Sequence, residues 1–178
     1  MKTKNIDIDI DVSEIDDEVT SLIPDLISSN TIRRKEARQN LEKLGPMKLE
    51  QLAFLLSSKN KQLRWEVAKA LECGSTAGSI PIFLKLLTDD ESDIRWIAAE
   101  GLINIGRASL IPLLHEIIYH ESIYINEGAH HILQELLIRK EKRRFHKLLS
   151  SLKQNRHIKG LASTYAKEIL DRFDENIV

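Results

Sequence analysis

Six histidines are the first residues whose chemistry has to be weighed. Two stand in His-Glu dipeptides, His115-Glu116 and His120-Glu121, pairing an imidazole with a carboxylate as a transition-metal site would. The spacing Asp7-x-Asp9-x-Asp11 has the alternation of a calcium loop. Val12 stands where that loop needs glycine for its sharp turn, however, so calcium is rejected. Cys73 is the only cysteine, which excludes an intrachain disulfide and a Cys-based zinc site. No Gly-rich phosphate loop, Ser/His/Asp order or Cys/His pairing is present. Two features remain. One is the pair of tryptophans, each in an Arg-Trp dipeptide: Arg64-Trp65 and Arg95-Trp96. The other is a run of cations near the C-terminal end.

The elements that must position these residues come from a repeat. Laid over one another, Leu63–Leu71 and Ile94–Leu102 match, and the register extends along the chain. One column holds small residues, Ala37, Val67, Ala98, Ala129 and Ala162. Four residues on, a second holds Leu41, Leu71, Leu102, Leu133 and Ala166. Within a unit, Ile94, Ala98, Gly101, Leu102 and Ile105 form a single stripe of a 3.6-period helix. A second stripe precedes each of these, as in Ile80, Phe83, Leu84 and Leu87. Pro81 and Pro112 fall where a first helical turn tolerates proline, while Pro46 after Gly45, Gly74 and Gly106 mark helix ends. The spacing predicts an all-α fold, a right-handed α-solenoid of about five stacked antiparallel helix pairs near 18–44, 46–74, 77–106, 108–139 and 143–173. No pair can bury its stripe alone, so stacking builds the core.

The chain has 178 residues, 42% hydrophobic and 30% charged, with only 7 glycines and 4 prolines. That balance disfavours a sheet sandwich and suits helix. The net charge of −1 is unevenly placed. Residues 1–19 hold seven acids against two lysines, and the segment 139–159 holds nine cations against Glu141 alone. The expected organisation is an acidic, flexible arm over 1–17, a repeat domain over 18–173 and a tail over 174–178. The strict alternation Ile6–Val12 has no partner strand in the body, and the arm is a candidate shield for the basic end. No stretch approaches the roughly 18 apolar residues of a membrane helix, and the first residues lack the apolar core of a secretory signal. With one thiol, a cytoplasmic, monomeric protein without membrane contact is expected.

The string Asp89-Asp90-Glu91-Ser92-Asp93-Ile94-Arg95-Trp96-Ile97-Ala98-Ala99-Glu100-Gly101-Leu102 resembles the short HEAT-like repeat of bilin-lyase-type proteins and designed binders. The resemblance covers roughly 18–173 and is strongest in units two and three. It implies that second helices line a concave face and that a turn Asp and the helix Arg form a polar ladder. Asp89 and Arg95 match both positions, and Arg64 keeps the cation while Ser28 and Ser58 replace the Asp. Asn126 replaces the Arg in unit four, which predicts irregular stacking between units three and four. The HEAT-like iron enzyme deoxyhypusine hydroxylase carries its His-Glu dipeptides directly after the repeat Arg. Here that position holds Trp65-Glu66 and Trp96-Ile97, so iron chemistry is not implied and no cofactor is expected.

Helical spacing then defines the exposed positions of the second helices. They are Lys35, Gln39 and Lys43; Trp65, Lys69 and Cys73; Trp96, Glu100 and Asn104; Glu127, His131 and Glu135; Gly160, Thr164 and Glu168. Both tryptophans fall off the apolar stripe, where an aromatic anchors an interface or packs partly on a neighbouring helix. The expected function is non-catalytic. A concave ridge of Trp65, Lys69, Trp96, Glu100 and His131 binds a protein or peptide, as a scaffold or adaptor. The alternative is nucleic-acid binding, with Arg139, Lys140, Arg143, Arg144 and Lys147 as an anion site. On that reading Trp65, Trp96 and Glu100 resemble the aromatic and acidic set of HEAT-like DNA glycosylases.

Overall fold

A computed structural model describes residues 9–44, 48–120, 122–153 and 160–174. The stretch Ile6–Ile8, Gly45, Pro46, Glu121, the cations Arg156 and Lys159, and the tail beyond Asp174 lie outside the described residues. Twelve helices follow in order among the rest: α1 Asp17–Thr20, α2 Ile23–Leu26, α3 Thr31–Leu44, α4 Leu49–Leu55, α5 Lys61–Cys73, α6 Ile80–Leu86, α7 Ser92–Ile105, α8 Leu110–Tyr119, α9 Ile123–Leu136, α10 Arg139–Arg144, α11 His146–Lys153 and α12 Leu161–Asp174. No strand occurs among the described residues. The fold is all-α and HEAT-like, built from helix pairs that divide into two compact units, 1–79 and 80–178.

Both predicted columns are core. Ala37, Val67, Ala98, Ala129 and Ala162 are buried, and so are Leu41, Leu71, Leu102, Leu133 and Ala166. Small side chains let second helices approach, and the leucines fill the space between pairs. In the first unit α3 packs on α5, with α2 and α4 on the other side. In the second unit α7 packs on α9 and α6 on α8. Gly101 shows how tight this packing is. A Cβ placed there would come within 2.5 Å of the Phe83 ring, which is fully buried. Gly106 ends α7 with φ +81, whereas Gly74 ends α5 at −106, so only the former uses the left-handed freedom of glycine.

The turn inside each pair explains why serine and aspartate alternate in the same column. The side-chain oxygens of Ser28, Ser58 and Asp89 accept the N–H two residues on, at 3.2, 3.1 and 2.9 Å. The repeat arginine donates to the backbone carbonyl of that same residue. Arg34 reaches Ser28 at 2.7 Å, Arg64 reaches Ser58 at 2.8 Å and Arg95 reaches Asp89 at 2.7 Å. These bonds need a short polar side chain and a carbonyl, and either residue type supplies both. Asn30 and Asn60 then cap α3 and α5, accepting from Ile32 and Leu63 at 2.9 and 3.1 Å.

Two expectations are revised. Stacking between the third and fourth pairs stays close despite Asn126, since α7 and α9 pack along their length. The irregularity falls one pair later, where α11 packs on α9 and α12 on α8. The first and second helices of the last pair have exchanged layers. Leu137 and Ile138 leave α9 in extended backbone, and α10 is inserted before α11, which carries the chain along the α9 side. Thr164 and Glu168 on α12 therefore sit beside first helices. Secondly, Ser92–Tyr119 taken as one run is long and apolar enough to cross a membrane by length and composition, with mean hydropathy 1.3. That run is α7 and α8 joined by the turn Gly106–Ser109, and half of its apolar window is buried among neighbouring helices.

Candidate functional site

Trp96 and Trp65 occupy the same repeat position, one in each unit, and their surroundings differ. On α7 of the second unit, Trp96 is 56% exposed. Its ring stacks on His131 of α9, with centroids 4.6 Å apart and planes at 23°. His131 Nε2 lies 2.9 Å from Glu100 Oε1, one helical turn beyond Trp96 on α7. A large exposed aromatic is thus held in one orientation by an imidazole, which a carboxylate holds in turn. Beside it Arg95 lies 4.0 Å over the Tyr124 ring, itself exposed on α9. Glu127 and Glu135 are also exposed on α9. The second-helix face of this unit combines carboxylates, an imidazole and π faces. Such a surface takes planar or cationic side chains.

In the first unit Trp65 is only half-exposed, and the Arg38 guanidinium lies 5.5 Å from its ring centroid. The neighbouring Glu66 is the unexpected residue. It is 2% exposed and accepts from Arg34 Nε at 3.1 Å, from Gln62 at 2.9 Å and from Arg38. One carboxylate therefore joins α3 to α5 through two guanidinium groups. Sequence reasoning passed over this network. Its signal was Arg34 and Arg38 one turn apart on α3, like charges on one face that call for an acid nearby. Lys69 pairs with Glu72 on its own helix. Cys73 is exposed, and partial burial followed by the charge of Glu42 raises its thiol pKa. Asp9, in the arm, accepts from Ser58 Oγ at 2.7 Å and from the Lys59 N–H at 2.9 Å, while Asp16 pairs with Lys48.

The two histidines of the His-Glu dipeptides contact residues of α8. His115 stacks on Tyr119, and His120 lies 3.8 Å from Glu116. Among the described residues no group of three or more His, Cys, Asp or Glu side chains is placed to hold an ion. The basic residues Arg139, Lys140, Arg143 and Arg144 are exposed on α10, and Lys147 is exposed on α11 with its ammonium 5.6 Å from the Tyr165 ring.

Residues 49–129, from α4 through α9, match the family model of HEAT repeats. No curated protein matches the chain. HEAT repeats mediate protein–protein interaction and scaffolding. The matched segment contains both tryptophans, the repeat arginines and the His131–Glu100 pair. The helix pairs, buried small-residue column and arginine-closed turns of this segment are similar to those of HEAT-like repeats.

Proposed function

We propose that the protein is a non-catalytic adaptor whose partner, a protein or peptide, docks on the second-helix face of the second unit with Trp96 as its anchor. The observation that carries this reading is the fixed yet exposed Trp96 ring, stacked on His131 and braced by Glu100. Exposed indole costs solubility, and fixing it in advance removes part of the entropy cost of binding. The carboxylates of Glu100, Glu127 and Glu135 favour a partner that presents a lysine or arginine to the indole face. Trp65 and Lys69, the other two members of the expected ridge, lie in the first unit. On this reading they serve the framework of their own unit, since Arg38 already occupies the Trp65 ring. One exposed thiol, Cys73, fits a reducing cytoplasm.

The test is affinity capture from a cell lysate with nuclease present, using wild type, Trp96→Ala and Trp65→Ala. A discrete protein retained by wild type and Trp65→Ala but lost with Trp96→Ala supports the reading. Retention by Trp96→Ala contradicts it.

A further inference from the structure

The short helix α10 poses a separate question. Its sequence is Arg-Lys-Glu-Lys-Arg-Arg, and it buries no residue. Packing therefore does not dictate these side chains, and folding alone would choose others. Arg139 with Arg143, and Lys140 with Arg144, are like charges one turn apart, an arrangement that destabilises a helix. The single acid is already engaged. Glu141 accepts from Arg107 at 2.7 and 3.0 Å and from the Ile138 N–H at 3.1 Å, which caps the helix and pulls its carboxyl pKa below the usual range. Among the described residues no ion pair engages Arg139, Lys140, Lys142, Arg143, Arg144 or Lys147. The result is a dense cationic surface, offset within α10 by Glu141 alone, whose helix is held in place from its acidic side.

We propose that α10, with Lys147 at the start of α11, is a binding site for the phosphate backbone of nucleic acid. The choice of partner follows from what the surface lacks. A lipid bilayer needs an apolar face to insert, and α10 has none; Ile138, 63% exposed, stands alone beside it. An acidic protein partner would need a cluster of apolar anchors of the kind Trp96 supplies elsewhere, whereas α10 itself carries none and the single Ile138 precedes it. A phosphodiester strand needs only repeated charge and forked donors. Arg139 and Arg143 are about 6 Å apart along the axis, a single helical turn, and guanidinium groups grip phosphate oxygens in pairs. With no exposed aromatic on α10 to stack bases, binding is indifferent to sequence. It is also independent of the Trp96 face.

The experiment is fluorescence anisotropy of short labelled single-stranded RNA, single-stranded DNA and duplex DNA titrated with the full chain at increasing salt. Neutralising about five phosphates predicts a duplex Kd of roughly 1 μM at 50 mM salt and a loss of about 500-fold by 200 mM. The variant Arg139→Gln, Lys140→Gln, Arg143→Gln, Arg144→Gln should lose most of that affinity and flatten the salt slope. It should melt as wild type does, because α10 buries nothing. Replacing the three arginines by lysine should keep the slope, and Trp96→Ala should bind as wild type. No binding at low salt, or an unchanged slope in the glutamine variant, overturns the proposal. So does polyglutamate or anionic vesicles being bound while all three nucleic acids are refused.

Discussion

Trp65 and Trp96 share a repeat register but not a role, and the difference lies in what joins neighbouring pairs within each unit. In the first unit the joint is ionic and closed: Arg34 and Arg38 converge on the buried Glu66, and Arg38 covers Trp65. In the second unit the position of Glu66 is taken by Ile97 and the joint is aromatic and open: Arg95 lies on Tyr124, and Trp96 lies on His131. A buried charge must be fully paired, so the first arrangement leaves nothing over for a partner. Stacked rings share one face and leave the other to solvent, so the second does. The repeat sets where an indole sits, and the neighbouring pair decides whether it is framework or surface.

The largest effect should come from breaking the ionic joint. Glu66→Ala strands two half-buried arginines and should cost about 3 kcal/mol or more in chemical denaturation. Glu100→Ala, in the second unit, removes a partly exposed partner and should cost less than about 1 kcal/mol. Next come the tryptophans. Trp65→Ala removes a half-buried ring under Arg38 and should cost roughly 2 kcal/mol, against less than about 1 for Trp96→Ala. A similar loss for both would dissolve the contrast. Gly101→Ala drives a methyl into Phe83, where the first unit holds the alanine Ala70 in the same column, and should cost roughly 1–2 kcal/mol. Relief by Phe83→Leu would locate the clash.

The smallest effect is a pH dependence confined to the second unit's side of the comparison. Burial, then the charges of Lys153 and His131, lower the pKa of His130 from its ordinary 6.5. The unfolded chain then takes up the proton first. Stability falls as pH drops through 6.5 and levels off below the folded value. Thermal melts from pH 7.5 to 5 should show this decline, and His130→Gln should flatten it, with the residual slope assigned to other groups.

The architecture was legible because it rests on periodicity. Every member of the small and leucine columns is buried, and the arginine turns recur at the spacing read from the chain. The exchange of layers at α11 and α12 was not legible. Their stripes satisfy helical packing on either side, and only the extended Leu137–Ile138 and inserted α10 decide which. The candidate site was half legible. Trp96, Glu100 and His131 were drawn together from exposed positions and are in contact. The cover on Trp65 was missed because Arg38 reaches it from outside the exposed-position register, and no one-dimensional pattern marks a guanidinium that reaches across to the next pair.

The most direct test reads the two indoles separately. Variants Trp65→Phe and Trp96→Phe each leave one tryptophan, whose emission and acrylamide quenching can be followed as the captured partner is added. The account predicts that Trp96, well quenched in the free protein, shifts to the blue and becomes protected, while Trp65 stays unchanged. Protection of Trp65 with Trp96 still open to quencher would contradict it.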